Sequence, residues 1–492
     1  MKDCLLAIDQ GTTSTRAIVF DVDGRTRAAA RRNLISEFPA DGWVDQDAHA
    51  IWRDTMAVCA KALERSGNPR VAAVGIANQR ETTVVWDRET GIPVCNAIVW
   101  QDRRTAKLCN DLREQGLELE VRDRTGLVID PYFSATKLMW ILERVPGVRS
   151  RAERGELAFG TVDSYLLWQL TDGRVHKTDA ANASRTMLFN LKEQDWDRDL
   201  LAALRIPASL LPEVCDNASR YGVIGGTGPL AGMLVGGMAG DQQAALIGQG
   251  CCSAGSAKST YGTGCFLVVN TGPEIVRSRN RLLSTVGYRL RGKPTYALEG
   301  SIFTAGAAIN WLRDQLGLID SVEQSAELAR RAGKSGNVFL VPAFTGLGAP
   351  HWDAGARAAV LGLRYDSGVP EIVRAALQSV AFQTLDLLEA MEADGTPAPK
   401  ALRVDGGMSA NDWLLQCLAD ILDVPVHRPE VVETTAWGAA FLAGLTAGAF
   451  DSIRESERLW RADREVVPTM EEEDRARLCV GWKDAVARVK SP

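Results

Sequence analysis

The chain has 492 residues, which is long for a single core and enough for two to four domains. Hydrophobic residues make up 46% and charged residues 24%, the balance of an ordinary soluble globular protein. A net charge of −6 offers no global attraction for nucleic acid or for anionic membranes, so an anionic ligand has to be held by local groups.

The segment LLAIDQGTTSTRAIVFD (5–21) predicts two strands, at 5–8 and 17–20, around a turn crowded with hydroxyls. The start of the chain lacks the long apolar stretch of a signal peptide, and no stretch reaches the length of a membrane span, so a cytoplasmic location is expected. Helical periodicity follows at 49–65. A further strand and turn read at 70–87 (RVAAVGIANQRETTVVWD) and continue into CNAIVWQDRR (95–104). Helical periodicity returns at 135–145 and at 372–392. Strands alternating with helices throughout predict an α/β protein. Near residue 250 the chain becomes small and polar, and KSTYGTGCFLVVNTG (258–272) then repeats the opening design of strand, Gly-Thr turn and apolar strand. That restart predicts a duplicated architecture with domains 1–250 and 251–492. Ten cysteines show no CxxC spacing, and the adjacent Cys251 and Cys252 are poor geometry for a simple bridge, so buried free thiols are expected. Four histidines with no paired ligand spacing argue against zinc. The acidic run 471–474 reads as a solvated helix face.

The turns carry the chemistry. In DQGTTSTR (9–16), Gly11 lets the backbone approach a ligand and successive amides form a concavity for anions. Thr12, Thr13 and Ser14 add hydroxyls, and Arg16 adds a fork suited to phosphate. Asp9 would repel a phosphate unless a divalent cation lies between them, which makes it a Mg²⁺ signal. The plain alternative is a hairpin with a polar turn. TYGTGCF (260–266) offers a second cradle, and two facing cradles suit the phosphate chain of a nucleotide. Neither matches GxxxxGK[ST] or GxGxxG, so P-loop and dinucleotide folds are disfavoured. In GGMAGDQQAALIGQG (236–250), Asp241 stands at a helix start, as a cap or as a carboxylate able to take a proton from an alcohol, with Gln242 beside it as a hydrogen-bonding group. Arg80 and Glu81 are neighbours, either a surface ion pair or a donor and acceptor for a polyol. Adjacent strand residues point to opposite faces, so joint use of both requires an irregular strand end. Trp100 and Phe266 are candidate apolar walls, with core packing as the plain alternative. DGGMSANDWLL (405–415) is a strand, a Gly-Gly turn that leaves room for a flat base, and a helix that Asn411 either caps or uses to meet a ligand. Gly306 and Asn310 fall one helical turn apart on one face.

Together DQGTTSTRAIVFD, NQRETTVVWD, DPYFSATK, NASRTMLFNL, GDQQAALIGQ, STYGTGCF, EGSIFTAGAAINWLRD and DGGMSANDWLLQ resemble the glycerol-kinase branch of the FGGY carbohydrate kinases, within the actin-like ATPase superfamily. The resemblance runs over essentially the whole chain. It implies two actin-like (ribonuclease H-like) domains, each a mixed sheet flanked by helices, with a nucleotide cleft between them. It also implies ATP- and Mg²⁺-dependent phosphorylation of glycerol to sn-glycerol 3-phosphate by a homodimer or homotetramer. Carried over by position, Asp241 matches the general base. Arg80, Glu81, Tyr132, Gln242, Trp100 and Phe266 match the glycerol contacts. Thr12, Thr13, Ser14, Arg16 and Thr263 match the phosphate loops, and Gly306, Asn310, Gly407 and Asn411 match nucleotide positions. Asp9 and Asp241 match the metal environment. Two departures stand out. Asn310 replaces the usual Gln. The loop GGTGPLAGMLVGGMAGD has Gly232 and no Lys or Arg where relatives inhibited by fructose 1,6-bisphosphate carry an Arg, so that inhibition is expected to be absent or weak. The rival readings are a kinase for another polyol or ketose on the same fold and an actin-like ATPase with no polyol acceptor.

Overall fold

The computed structural model describes residues 3–333, 337–353 and 355–491. The two opening apolar runs return on each other as the hairpin of β1 (Cys4–Gln10) and β2 (Ser14–Asp21), with Leu5 opposite Phe20 and Gln10 opposite Thr15. All seven residues of β1 are buried, which is why it reads as a continuous apolar run rather than an alternation. The chain continues through β3 (Thr26–Asn33), helix α1 (Ala48–Arg65), β4 (Val71–Asn78), helix α2 (Ser134–Arg144), β5 (Ala218–Val223), β6 (Leu234–Gly240) and helix α3 (Asp241–Gly248). The Asp47 side chain caps α1 by accepting from the His49 N–H, and Ile51, Thr55, Val58, Cys59 and Ala62 then fall on its buried face. The six strands order as β5-β6-β4-β1-β2-β3, with β4 parallel to both β1 and β6. Within CNAIVWQDRR only Ala97–Ile98 forms strand, and the turn after it carries Trp100.

The second half introduces β7 (Ala257–Tyr261), β8 (Cys265–Gly272), β9 (Leu283–Leu290), β10 (Lys293–Ile302), helix α4 (Gly306–Asp314), helix α5 (Val369–Ala393), β11 (Leu402–Asp405), helix α6 (Asp412–Leu422), β12 (Val426–Pro429), helix α7 (Thr434–Ala447) and β13 (Ala462–Val466). Its sheet orders as β9-β10-β8-β7-β11-β12-β13. The plan of the first sheet repeats. A central strand (β1, β7) forms a hairpin with the next strand and pairs in parallel with a later one (β4, β11). A further parallel strand (β6, β12) and an antiparallel edge (β5, β13) complete each sheet. The short likeness between 9–16 and 258–266 thus marks the same topological position twice. The three helices read from periodicity correspond to α1, α2 and α5. The run 471–474 is exposed at the start of the helix Glu472–Val489, where its acids also suit the helix dipole. All ten cysteines are free, and no helix among the described residues is long and apolar enough to cross a membrane.

Helix α7 belongs to the second half of the chain yet covers the first sheet. Its sequence, TTAWGAAFLAGLTA, is small-residue-rich because the backbones touch. A Cβ on Gly438 would lie 1.8 Å from the Ala244 carbonyl oxygen, one on Gly248 1.9 Å from that of Thr434, and one on Gly75 2.0 Å from that of Ala439. These glycines lock α7 against α3 and β4, and so fix where α3 begins. Gly438→Ala is therefore expected to destabilise the protein by about 3 kcal/mol through overpacking against backbone that cannot yield. A thermal unfolding midpoint equal to the wild type would contradict this packing.

Candidate functional site

β4 ends at Asn78, and the chain then turns irregularly, with Glu81 in the left-handed region at φ 59°. That turn supplies the irregular end needed for Arg80 and Glu81 to serve one pocket. Both are almost completely buried. Arg80 makes two parallel contacts to Glu299, Nη1 to Oε2 at 2.5 Å and Nη2 to Oε1 at 3.0 Å. Its Nε lies 3.2 Å from Asp241 Oδ1, and longer contacts of 3.4 Å reach the Tyr132 hydroxyl and Gln243. Arg185, fully buried, donates to Glu81 at 2.7 Å and shares Glu299 at 3.0 Å. Lys258, also fully buried, donates to Gln242 Oε1 and, at 2.9 Å, to Thr260 Oγ1. Three cations and three carboxylates (Arg80, Arg185 and Lys258 with Glu81, Glu299 and Asp241) thus share one enclosed volume.

Burial acts on every member of this cluster. It would raise the Glu299 carboxyl, but Arg185 and Arg80 overcome it and hold that group down to about 2. For Glu81, burial wins over Arg185 and Arg80 and the carboxyl is pushed up. Asp241 is likewise pushed up by burial, against the pull of Arg80 and Lys258. Its side chain keeps 30% of its surface open, and its Oδ1 accepts from the Gln242 N–H at 2.7 Å while also facing Arg80. Among the described residues nothing donates to Asp241 Oδ2. The helix-start contact and the pocket position therefore coexist in one carboxylate.

The first hairpin turn closes by a Gly11 N–H to Ser14 carbonyl bond of 3.0 Å. Thr12 Oγ1 accepts the Trp100 indole N–H at 2.8 Å, which ties the turn to the pocket wall. The Trp100 ring meets Tyr132 edge-on at 5.5 Å and Phe266 at 6.4 Å, and the Arg80 guanidinium lies 5.6 Å over Phe266. Trp100, Phe266 and Tyr132 are thus brought together around Arg80. Arg16 is engaged on both sides, by Asp9 and by Glu433 from the segment before α7, rather than projecting free from the turn. Burial raises the Asp9 carboxyl, with Arg16 opposing it. One arginine shared by two carboxylates leaves an excess of negative charge there, and Asp9 Oδ1 has no donor among the described residues. A carboxylate oxygen each from Asp9 and Asp241 is the donor chemistry that Mg²⁺ takes together with phosphate oxygens. Among the described residues no cluster of three or more His, Cys, Asp or Glu forms a metal cage.

The second hairpin turn closes by a Gly262 N–H to Gly264 carbonyl bond of 2.9 Å. The Gly262 and Thr263 carbonyls accept from the N–H groups of Ala305, Gly306 and Ala307, so this turn also seats the start of α4. Thr263, Gly306, Asn310, Gly407 and Asn411 all line one cavity of about 510 Å³. Asn411 is also the cap of α6, accepting from Trp413 and Leu414 at 3.0 and 3.1 Å, and its amide nitrogen donates to Ser325. Thr12, Thr13, Ser14 and Arg16 do not line this cavity and belong to the first hairpin. Glu299, Arg185, Lys258 and Glu433 were not singled out by sequence reasoning. Arg185 and Glu299 lie within NASRT and EGS, but contacts spanning 104 and 219 positions leave no local signal.

Two sheets of one plan, each with a polar hairpin turn at the same topological position, make the two halves of an α/β kinase fold. The chain belongs to the FGGY family of carbohydrate kinases: the N-terminal domain of that family matches residues 4–248 and the C-terminal domain residues 257–447. It is 59% identical to glycerol kinase 1 of Pseudomonas aeruginosa over 100% of both chains. It is 58% identical to a glycerol kinase of Alcanivorax borkumensis over 99% of this chain and 98% of that one. The crystal structure of Plasmodium falciparum glycerol kinase with ADP superposes with a TM-score of 0.94 at 33% identity, covering 100% of this chain and 99% of that one.

Removing one member of a buried ion cluster strands its partners, so Arg185→Met is expected to destabilise the protein by about 3–5 kcal/mol at neutral pH, read as a lower urea midpoint. The Glu299 carboxyl is depressed from its usual 4.5 to about 2, so its contribution is fully present above pH 4.5 and is lost as pH falls toward 2. The difference between variant and wild type should therefore shrink across that interval. A constant difference would show that the pairing is not electrostatic.

Proposed function

We propose that the protein transfers the γ-phosphoryl group of ATP to glycerol, giving sn-glycerol 3-phosphate, with residues 1–250 and 251–492 as the two lobes around the substrates, save that α7 packs on the first lobe. The observation that carries this reading is the cluster around Arg80, which brings the polar groups of Glu81, Tyr132 and Asp241 together with the rings of Trp100 and Phe266. A three-carbon polyol offers hydroxyls to such polar groups and a carbon face to such rings. Likeness over the full chain to relatives named glycerol kinase supports the same substrate. A homodimer or homotetramer in the cytoplasm belongs to this reading.

The 3.4 Å contacts of Arg80 to Tyr132 and Gln243 are at the weak end of hydrogen bonding, and a polyol hydroxyl inserts there as acceptor. Glu81 receives Arg185 on Oε1, which leaves Oε2 to accept from a second hydroxyl. The terminal hydroxyl donates to Asp241 Oδ2. As its oxygen bonds to the γ-phosphorus, the proton passes to Asp241, the bond to the β–γ bridging oxygen breaks and ADP leaves. Thr12, Thr13 and Ser14 receive phosphate oxygens from one lobe and Thr263 from the other, with Arg16 beside them held by Asp9 and Glu433, while Gly306, Asn310, Gly407 and Asn411 take the nucleoside. Asp9 and Asp241 would hold Mg²⁺, which supplies charge neutralisation at the terminal phosphates when bound with ATP. Enclosing both substrates between the lobes keeps water from competing as nucleophile.

Asp241→Asn retains an oxygen to accept the Gln242 N–H, so the helix start is kept. It is expected to lower kcat by about 10³-fold while circular dichroism stays unchanged. A near-normal kcat would remove Asp241 from the role of base. Fructose 1,6-bisphosphate is expected to inhibit weakly or not at all, because the loop 225–241 carries no Lys or Arg and Arg174, beside Gly225, faces Asp172 at 3.6 Å. Strong inhibition in a steady-state assay would contradict this.

A further inference from the structure

We infer that recognition of the polyol depends on two buried charges of the second sheet: Lys258 on β7 and Glu299 on β10 are positioning residues that hold Gln242 and Arg80 in their substrate-facing orientations. The inference rests on the glycerol-phosphorylating reading and deepens it.

Both residues have no exposed surface, and both reach out of their own sheet to groups of the first half of the chain. An ammonium can only donate, so the atom of Gln242 that meets Lys258 Nζ has to be the amide oxygen. That fixes a side-chain amide which otherwise turns over freely. The Gln242 nitrogen, with no acceptor among the described residues, becomes a fixed donor one residue from Asp241. A substrate oxygen that accepts from Gln242 must direct its own proton elsewhere, and the Asp241 carboxylate stands next to it. Lys258 therefore selects the hydroxyl orientation that the base needs. Thr260 Oγ1 at 2.9 Å holds the ammonium from behind.

Glu299 does the same for Arg80. Contacts of 2.5 and 3.0 Å to two different guanidinium nitrogens fix the plane of the group, which a single contact would leave free to rotate. Arg185, bound to the same Oε1 at 3.0 Å, prevents that carboxylate from swinging away. With its plane set, Arg80 keeps Nε on Asp241 and Nη2 toward Tyr132, where a polyol hydroxyl fits. Neither Lys258 nor Glu299 has to touch substrate for this.

The test is steady-state kinetics of Lys258→Met and Glu299→Gln beside the wild type, with glycerol, ATP and propane-1,2-diol each varied. Both variants are expected to raise the KM for glycerol by about tenfold or more, leave the KM for ATP within about twofold, and lose discrimination between glycerol and propane-1,2-diol. A merely structural role lowers the amount of active enzyme or its melting temperature and moves neither KM nor discrimination, so unchanged values overturn the inference. If either variant does not fold, the other carries the test. Thr260→Val, close to isosteric, serves if neither folds: a rise in the glycerol KM of about threefold supports the inference and an unchanged KM overturns it. Failure of the underlying reading looks different, because the wild type itself would then release no ADP in response to glycerol.

Discussion

The structure depends on a carboxylate from the second sheet gripping two arginines of the first half of the chain. Glu299 stands on the second sheet, and Arg80 and Arg185 belong to the first half of the chain. Buried ion pairs of this kind contribute little net stability, because desolvation offsets most of the attraction. Their effect is on geometry. Arg80 cannot leave Glu299 without stranding a charge in the interior, so every group that reads off Arg80 inherits a fixed position. Asp241, Tyr132 and Phe266 are all placed relative to that one guanidinium.

Backbone contact sets the frame in which this grip works. Helix α7 presses its glycine and alanine face onto α3 and β4 so closely that no Cβ fits at Gly438, Gly248 or Gly75. The start of α3, and with it Asp241, is therefore located by rigid main chain rather than by adjustable side chains. The segment leading into α7 also supplies Glu433 to Arg16, so the helix that closes the first sheet places a charge at the first hairpin turn. The two hairpin turns are then held at fixed positions, one tied through Thr12 to Trp100 and the other tied through Gly262 and Thr263 to α4. The cavity at the second turn is lined from α4, the segment 322–330, α5, the Gly-Gly turn and the start of α6.

Much of this was legible in the sequence, for reasons that differ by residue. The hairpins were visible because strand burial on both faces leaves continuous apolar runs, and their polar turns stand out against them. The need for an irregular strand end at Arg80 and Glu81 followed from strand geometry, and the left-handed Glu81 supplies it. Gly306 and Asn310 could be paired by spacing, the Gly-Gly turn at Gly407 read as room for a flat base and Asn411 as a cap or a ligand contact, and all four line one cavity. Arg16 looked like a free phosphate fork because Asp9 and Glu433 lie 7 and 417 positions away, and only folding brings the second to it. Glu299, Arg185 and Lys258 were invisible for the same reason. Each sits in an unremarkable strand or turn, and their importance lies in partners that no periodicity reveals. The crossing of α7 onto the first sheet is likewise a property of the fold and not of any window of residues.

The central claim is that this geometry delivers a phosphoryl group to a small polyol and withholds it from water. ADP release from Mg-ATP, followed with and without glycerol and matched to sn-glycerol 3-phosphate formed, tests it most directly. ADP and sn-glycerol 3-phosphate are expected in equal amounts when glycerol is present, with almost no ADP when it is absent. ADP release at the same rate without glycerol, or with glycerol but without the phosphorylated product, would contradict it.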